Sequence, residues 1–434
     1  MPEKEGIFVT LVNENIIKKQ GYNLHVVKTD KYKTNTIVWR MKAPLESETV
    51  TKRALLPYVL QSNSEKYPTS THLRSYLDDL YGASFYVDVA KKGDFHIMSF
   101  SLEVANEKFL KAGEPLLEKA LQFMHEILQK PNVNNGALDK DTVQDEKRSL
   151  KQRIQSIYDD KMRFASARLL EEMYKGDPYA LQANGEIEAV DEMNETDLYK
   201  YYEQAFSEDE MDLYIVGDVE AGQVEKIADR LFQFNSRTPR SPQTVRQTTP
   251  SAEPKEVVEK QEINQGKLHI GYRTHITFGD DDYFALQMFN GIFGGFSHSK
   301  LFMNVREKES LAYYAASRLE SHKGFLMVLS GIDSKNYNKA VKIINEQLQA
   351  MKNGEISEKE LEQTKAVIRN QVLETLDTAR GVIEMLYHNV MAKTDVTVDN
   401  WLEAAERMTI EEITAAANKV EMDTVYFLSG MEGE

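Results

Sequence analysis

Residues 236–255, SRTPRSPQTVRQTTPSAEPK, hold four of the chain's eleven prolines and almost no large apolar side chain. Proline at that density, without a helical or strand period, favours an extended and unpacked connector, because each ring fixes φ and removes a backbone donor. A connector near the middle of 434 residues divides the chain into two folding units. We therefore expect a first domain over 1–235, a linker over 236–258 and a second domain over 259–434.

The two halves carry the same order of elements. In the second, 267–274 (KLHIGYRT) alternates like a strand, helices are expected over 282–293 and 299–308, and strands over 313–319 and 325–330 flank the turn His322-Lys323-Gly324. Val341, Ile344, Leu348 and Met351 recur at helical spacing over 337–351, and Gly354 ends that helix. Ser357 and Glu360 form a capping-box pattern for the next one, and a helix over 410–420 and a strand over 425–429 close the chain. The first half offers strands at 23–27, 36–41, 85–89, 96–102 and 212–216, with helices at 73–80, 114–128 and 139–174. A shift of 218 positions drops Leu138, Val143, Leu150 and Ile154 onto Ile356, Leu361, Ile368 and Val372. Together with the repeated order this indicates an internal duplication. Hairpins mixed with helices, without strict βαβ alternation, predict an α+β fold: two homologous domains, each a mainly antiparallel sheet with helices on one face, facing each other across a cavity.

Composition narrows the chemistry. With no cysteine, thiolate nucleophiles, disulfides and Cys-based zinc sites are excluded. A net charge of −16 with no basic stripe argues against nucleic-acid and anionic-membrane partners. The apolar run 54–60 is far short of the roughly 20 residues a membrane span needs. The acidic start Met1-Pro2-Glu3-Lys4-Glu5 has no apolar core of a signal peptide, so the cytoplasm is expected. No two of the nine histidines lie three to five residues apart, which leaves no helix presenting a His pair to a metal. Gly279-Asp280-Asp281-Asp282 reads as a helix N-terminus, and the glycine-rich 291–300 lacks the Gly-Lys-Ser/Thr of a phosphate loop.

One stretch is specific. Gly294-Gly295-Phe296-Ser297 precedes a helix that runs into Val305-Arg306-Glu307-Lys308-Glu309-Ser310-Leu311-Ala312-Tyr313. This resembles the second domain of the pitrilysin/insulinase-type zinc peptidases, in the branch of mitochondrial processing peptidase. Asp177-Pro178-Tyr179, Gly185 and Tyr214-Ile215-Val216-Gly217-Asp218-Val219 look like the latter part of that family's first domain, so the likeness covers nearly the whole chain. The resemblance implies that Arg306 and Tyr313 bind substrate, with Gly294 and Gly295 in the adjoining loop. A guanidinium donates in a fork to peptide carbonyls and a phenol adds a second donor. Taken alone, an Arg there complements a helix dipole and a Tyr packs at a strand start.

Active members of the family carry H-x-x-E-H on a first-domain helix, with a third, carboxylate ligand far downstream. By position this chain has Ala54, Pro57 and Tyr58 in the motif and Arg153 at the distal ligand. Both imidazoles and the general base are missing, and a proline inside that helix costs about 3 kcal/mol where fully interior. The resemblance thus implies a chain that binds no zinc and is no enzyme on its own. It implies a non-catalytic, peptide-binding subunit of a heterodimeric peptidase, with zinc on a homologous partner that retains H-x-x-E-H. The alternative is a structural or peptide-binding homo-oligomer with no part in proteolysis; homodimers of the isolated chain fit either reading.

Overall fold

The computed structural model describes residues 11–111, 113–242 and 253–431. The acidic start read above lies outside the described residues. Strands β1 (Glu14–Lys19), β2 (Tyr22–Lys28) and β3 (Thr34–Pro44) lead into helices α1 (Ser47–Ser62) and α2 (Ser70–Asp79), then the hairpin β4 (Ser84–Lys92) and β5 (Phe95–Ala105). Next come α3 (Leu116–Gln129), the short pair β6 (Val133–Asn134) and β7 (Ala137–Leu138), α4 (Lys140–Asp159), α5 (Lys161–Met173), α6 (Ile187–Glu192) and α7 (Glu195–Glu208). The half ends in β8 (Glu210–Gly217) and α8 (Ala221–Leu231).

The second half opens on β9 (Lys255–Gln261), β10 (Gly266–Arg273) and α9 (Tyr283–Asn290), which passes into a π-helical turn, Gly291–Gly295. A second π-helical stretch, Phe302–Lys308, precedes the hairpin β11 (Ala312–Glu320) and β12 (Phe325–Ile332). Helices α10 (Tyr337–Lys352), α11 (Glu358–Thr375), α12 (Ala379–Ala392), α13 (Val398–Arg407) and α14 (Ile410–Asn418) follow, then β13 (Glu421–Gly430).

The sheets repeat one another. The first has the order β1-β2-β8-β3-β5-β4 and the second β11-β12-β10-β13-β9. Leaving out β1, each strand of one matches a strand of the other in place and sense, including the one parallel pair, β2 with β8 and β9 with β13. A shift of 218 carries Lys140 of α4 onto Glu358 of α11, and Lys161 of α5 onto Ala379 of α12. The capping box at Ser357 forms as read.

Three features differ from the sequence reading. The helix expected over 139–174 is two, because Asp160 turns the chain and its carboxylate caps α5 by accepting from the amides of Met162 and Arg163. Strand β9 begins at Lys255, so the last four residues assigned to the linker are sheet, held by the ladder to β13. Helix α1 runs unbroken through Pro57. Ten of its sixteen residues are buried, and that packing outweighs the missing hydrogen bond.

Each domain packs its own helices on one face of its sheet, Trp39 and Phe100 anchoring the first core and Phe289 and Phe293 the second. The other face of each sheet is covered by a helix from the opposite half. Val382, Ile383, Leu386 and Tyr387 of α12 cover Val27, Val38, Tyr214 and Val216 of the first sheet. Phe164, Leu169 and Met173 of α5 cover Phe325, Met327, Leu329, Tyr426 and Leu428 of the second. The equivalent hairpins β4–β5 and β11–β12 also meet at their turns. There the Gly93 amide donates to Glu320 Oε1 at 3.2 Å, and Lys323 pairs with Asp94 and with Asp177 at 3.0 Å. A Cβ on Gly93 would stand 2.9 Å from the His322 carbonyl, so only glycine fits this approach.

Candidate functional site

Helix α1 is fixed from its buried side. Arg53, fully buried, donates to Asp209 Oδ2 at 2.6 Å, to the Tyr201 hydroxyl at 3.1 Å, and to the carbonyls of Met41 at 3.0 Å and His96 at 3.1 Å. One residue on, Ala54 is sealed in the core; one turn further, Tyr58 is half-buried beside α4. The Arg153 guanidinium of α4 lies 3.7 Å from the centroid of the Tyr58 ring. Burial pushes the Tyr58 phenol up, and the Arg153 charge draws it part of the way back. Burial lowers Arg153 in turn, and its Nε and Nη2 are buried without a hydrogen-bond partner.

This group of side chains does not fit zinc. Ala54 and Pro57 offer no donor, Tyr58 is stacked, and Arg153 brings a cation beside it. Among the described residues no three His, Asp or Glu side chains are arranged to hold a metal ion. Glu146, two turns before Arg153 on α4, is a nearby carboxylate that the sequence reading passed over; it accepts from Ser62 Oγ at 2.9 Å. Its seven-residue spacing from Arg153, which sets both on one face of α4, was the available signal.

The second group stands on the outer edge of the other sheet. Arg306, 43 % exposed, lies in the π-helical stretch with its guanidinium 4.6 Å from the centre of the Phe302 ring and its Nε 3.6 Å from Glu307. Ser310, at φ 49°, turns the chain into edge strand β11. Tyr313 falls at a register shift between Ala312 and Tyr314, where β11 has one residue more than β12 can pair. Such a bulge re-aims a side chain, and Tyr313 is 76 % exposed. Gly294 and Gly295 support this edge from behind. A Cβ on Gly294 would lie 2.6 Å from Ser317 Oγ, and one on Gly295 would lie 3.0 Å from Asn290. Gly294 is buried, so the structure gives it the close packing of the π turn on β11. Among the described residues no hydrogen bond, ion pair or ring contact links the Tyr58–Arg153 pair to Arg306 or Tyr313; the two groups belong to different halves of the chain.

The other candidates are structural. His269 is buried beside Ser166 at 3.3 Å, His275 pairs with Glu421 at 3.2 Å, and the aspartate run meets Thr277 and Lys419 at the start of α9. No helix among the described residues is long and apolar enough to cross a membrane.

Two α+β domains of matching topology, with Arg153 of α4 over Tyr58 of α1 in the first, define a duplicated fold that known proteins share. A family model described as Peptidase M16 inactive domain matches residues 192–368. The chain is 52% identical over 425 residues to a Bacillus subtilis protein named probable inactive metalloprotease YmfF, which covers 98% of this chain and 100% of that one. A crystal structure of a conserved protein from Enterococcus faecalis V583 superposes with a TM-score of 0.90 at 37% identity, covering 97% of this chain and 100% of that one. The chain is also 23% identical over 350 residues to mitochondrial-processing peptidase subunit beta of Saccharomyces cerevisiae, 76% of this chain and 71% of that protein. The chain belongs to the M16 peptidase family, as an inactive peptidase homologue.

Proposed function

We propose that the chain is the non-catalytic, substrate-binding subunit of a heterodimeric zinc peptidase, with the cytoplasm as its compartment. Its partner is a homologue that keeps H-x-x-E-H and holds the zinc and its water; this chain binds no cofactor. Arg306 and Tyr313 hold the peptide backbone across the shared chamber and set the scissile bond against the partner's metal. The peptide itself adds as a strand to a sheet edge of the partner.

The observation that carries this reading is Tyr313, 76 % exposed on a bulge at the start of an edge strand, seven residues after an Arg whose only ion pair among the described residues is a 3.6 Å contact with its neighbour Glu307. Exposed donors of that kind, held within the chain only by the Phe302 ring and a long contact with Glu307, suit a polypeptide ligand. The chain is mixed with its H-x-x-E-H-bearing homologue from the same genome, and zinc-dependent peptide cleavage is assayed. Activity is expected from the mixture alone, and Arg306→Ala should impair cleavage with the complex still assembled. Absence of both complex and activity would leave the homo-oligomeric alternative in its place.

A further inference from the structure

The duplication allows two equivalent places in the fold to be compared. The shift that carries α4 onto α11 puts Gln371 where the first half has Arg153. Helix α9 and its π-helical turn follow the central strand β10 and pack on α11, as α1 follows β3 and packs on α4. In the first half, Arg153 over Tyr58 closes the space between the paired helices. In the second half that space is a cavity of about 310 Å³ between α9, α11, α12 and α13.

Its walls are of two kinds. Phe284, Phe296, Ile368, Met385 and Trp401 give apolar and aromatic surface. Asn290, Gln371, Thr375 and His388 give uncharged polar groups. Glu384, the one charged residue of the lining, is already engaged by Arg40 and, at 3.1 Å, by Lys92. His388 shares a hydrogen bond through Nδ1 with His322 Nε2 at 2.8 Å, which leaves its own Nε2 for another partner.

Close-packed interiors leave few voids larger than a water molecule, and an engineered apolar cavity of about 150 Å³ already takes benzene. This cavity has about twice that volume and is partly open to solvent, with Gln371 exposed at its mouth. A charged guest would lose its hydration without gaining a free counter-ion, and a purely aliphatic one would strand the polar wall. Aromatic walls favour a ring packed face to edge or offset. We propose that this second-domain cavity binds an uncharged aromatic ring carrying a hydrogen-bonding group, supplied by an aromatic residue of a peptide or by a free small aromatic compound. The proposal rests on the cavity and is independent of whether the chain serves a peptidase.

Trp401 reports on the site, since the chain's other tryptophan, Trp39, is fully buried in the first core. The full chain is titrated with N-acetyl-phenylalaninamide and, separately, with benzyl alcohol, while tryptophan emission is followed. A saturable change is expected, lost in Ala405→Phe, whose ring fills the cavity from α13, and retained in Tyr313→Ala. Gln371→Leu, which keeps the volume and removes the polar group, should weaken binding about tenfold, and it decides the matter if Ala405→Phe does not fold. Saturation by the amide alone assigns a peptide source, and by the alcohol alone a free compound. No saturable change with either probe, or equal binding of the charged analogue phenylacetate, would overturn the proposal.

Discussion

The guanidinium of Arg153 lies over the ring of Tyr58, 3.7 Å from its centroid, and ties α4 to α1. These are the two residues that the sequence resemblance sets at the ligand positions of zinc peptidases, and together they form a cation–π pair. A cation and an aromatic face attract each other by the ring quadrupole, most strongly away from water.

That pair gives the first prediction. Incubation with zinc followed by gel filtration should leave the chain without stoichiometric metal, as measured by elemental analysis. Arg153→Ala should lower stability in urea by about 1 kcal/mol and should not create zinc binding. Retention of one equivalent by the unmodified chain would contradict the assignment.

A larger loss is expected deeper in the same helix. Arg53 is fully buried, and its pairing with Asp209 at 2.6 Å lies in the core. Removing one partner of a buried pair leaves an uncompensated charge, so Asp209→Ala should cost about 3–5 kcal/mol. Arg53→Met combined with Asp209→Leu should cost less than Asp209→Ala alone, because no charge is then stranded. Urea denaturation of the three proteins checks both statements.

Tyr313 should behave in the opposite way. At 76 % exposure it contributes little packing, and Tyr313→Ala should shift unfolding by no more than about 0.5 kcal/mol. If it holds substrate, peptide cleavage by the mixed subunits should fall roughly tenfold, the worth of about 1.4 kcal/mol in the transition state. Parallel melting and cleavage assays separate a substrate contact from a folding defect.

The first sheet carries a pH dependence. Burial by itself would push His25 down, but hydrogen bonds with Asp212 at 3.0 Å and Glu14 at 2.7 Å outweigh it and raise the imidazole from 6.5 to about 9. The folded value lies above the unfolded one, so this contribution to stability is complete below pH 6.5 and is lost as pH rises through 9. At about 1.4 kcal/mol per pH unit the loss is about 3 kcal/mol. His25→Gln should flatten the stability profile between those limits, as measured by urea denaturation at stepped pH.

Much of the fold was legible in the chain itself. Local patterns such as Ser357 with Glu360, or the helical spacing of Ile344 and Leu348, are fixed by backbone capping and side-chain periodicity and formed as read. The 218-residue shift found the α4–α11 match because duplicated helices keep their buried positions. Strand β9 was missed because Lys255–Gln261 buries one side only weakly and gains its order from pairing with β13, far along the chain. Helices α12 and α13 were passed over because α12 buries its face against the opposite half's sheet, a relation no local window contains.

The same division holds for the site. The amino-acid sequence by itself determined which chemistry is missing: no arrangement of Ala54, Pro57, Tyr58 and Arg153 supplies two imidazoles and a carboxylate. Tertiary structure decided what those residues do instead. Sequence separation says nothing of distance, and only the packing of α4 on α1 lays Arg153 over Tyr58. Only the unmatched residue in the β11–β12 ladder turns Tyr313 to solvent, because that bulge arises from strand pairing and not from the composition of either strand.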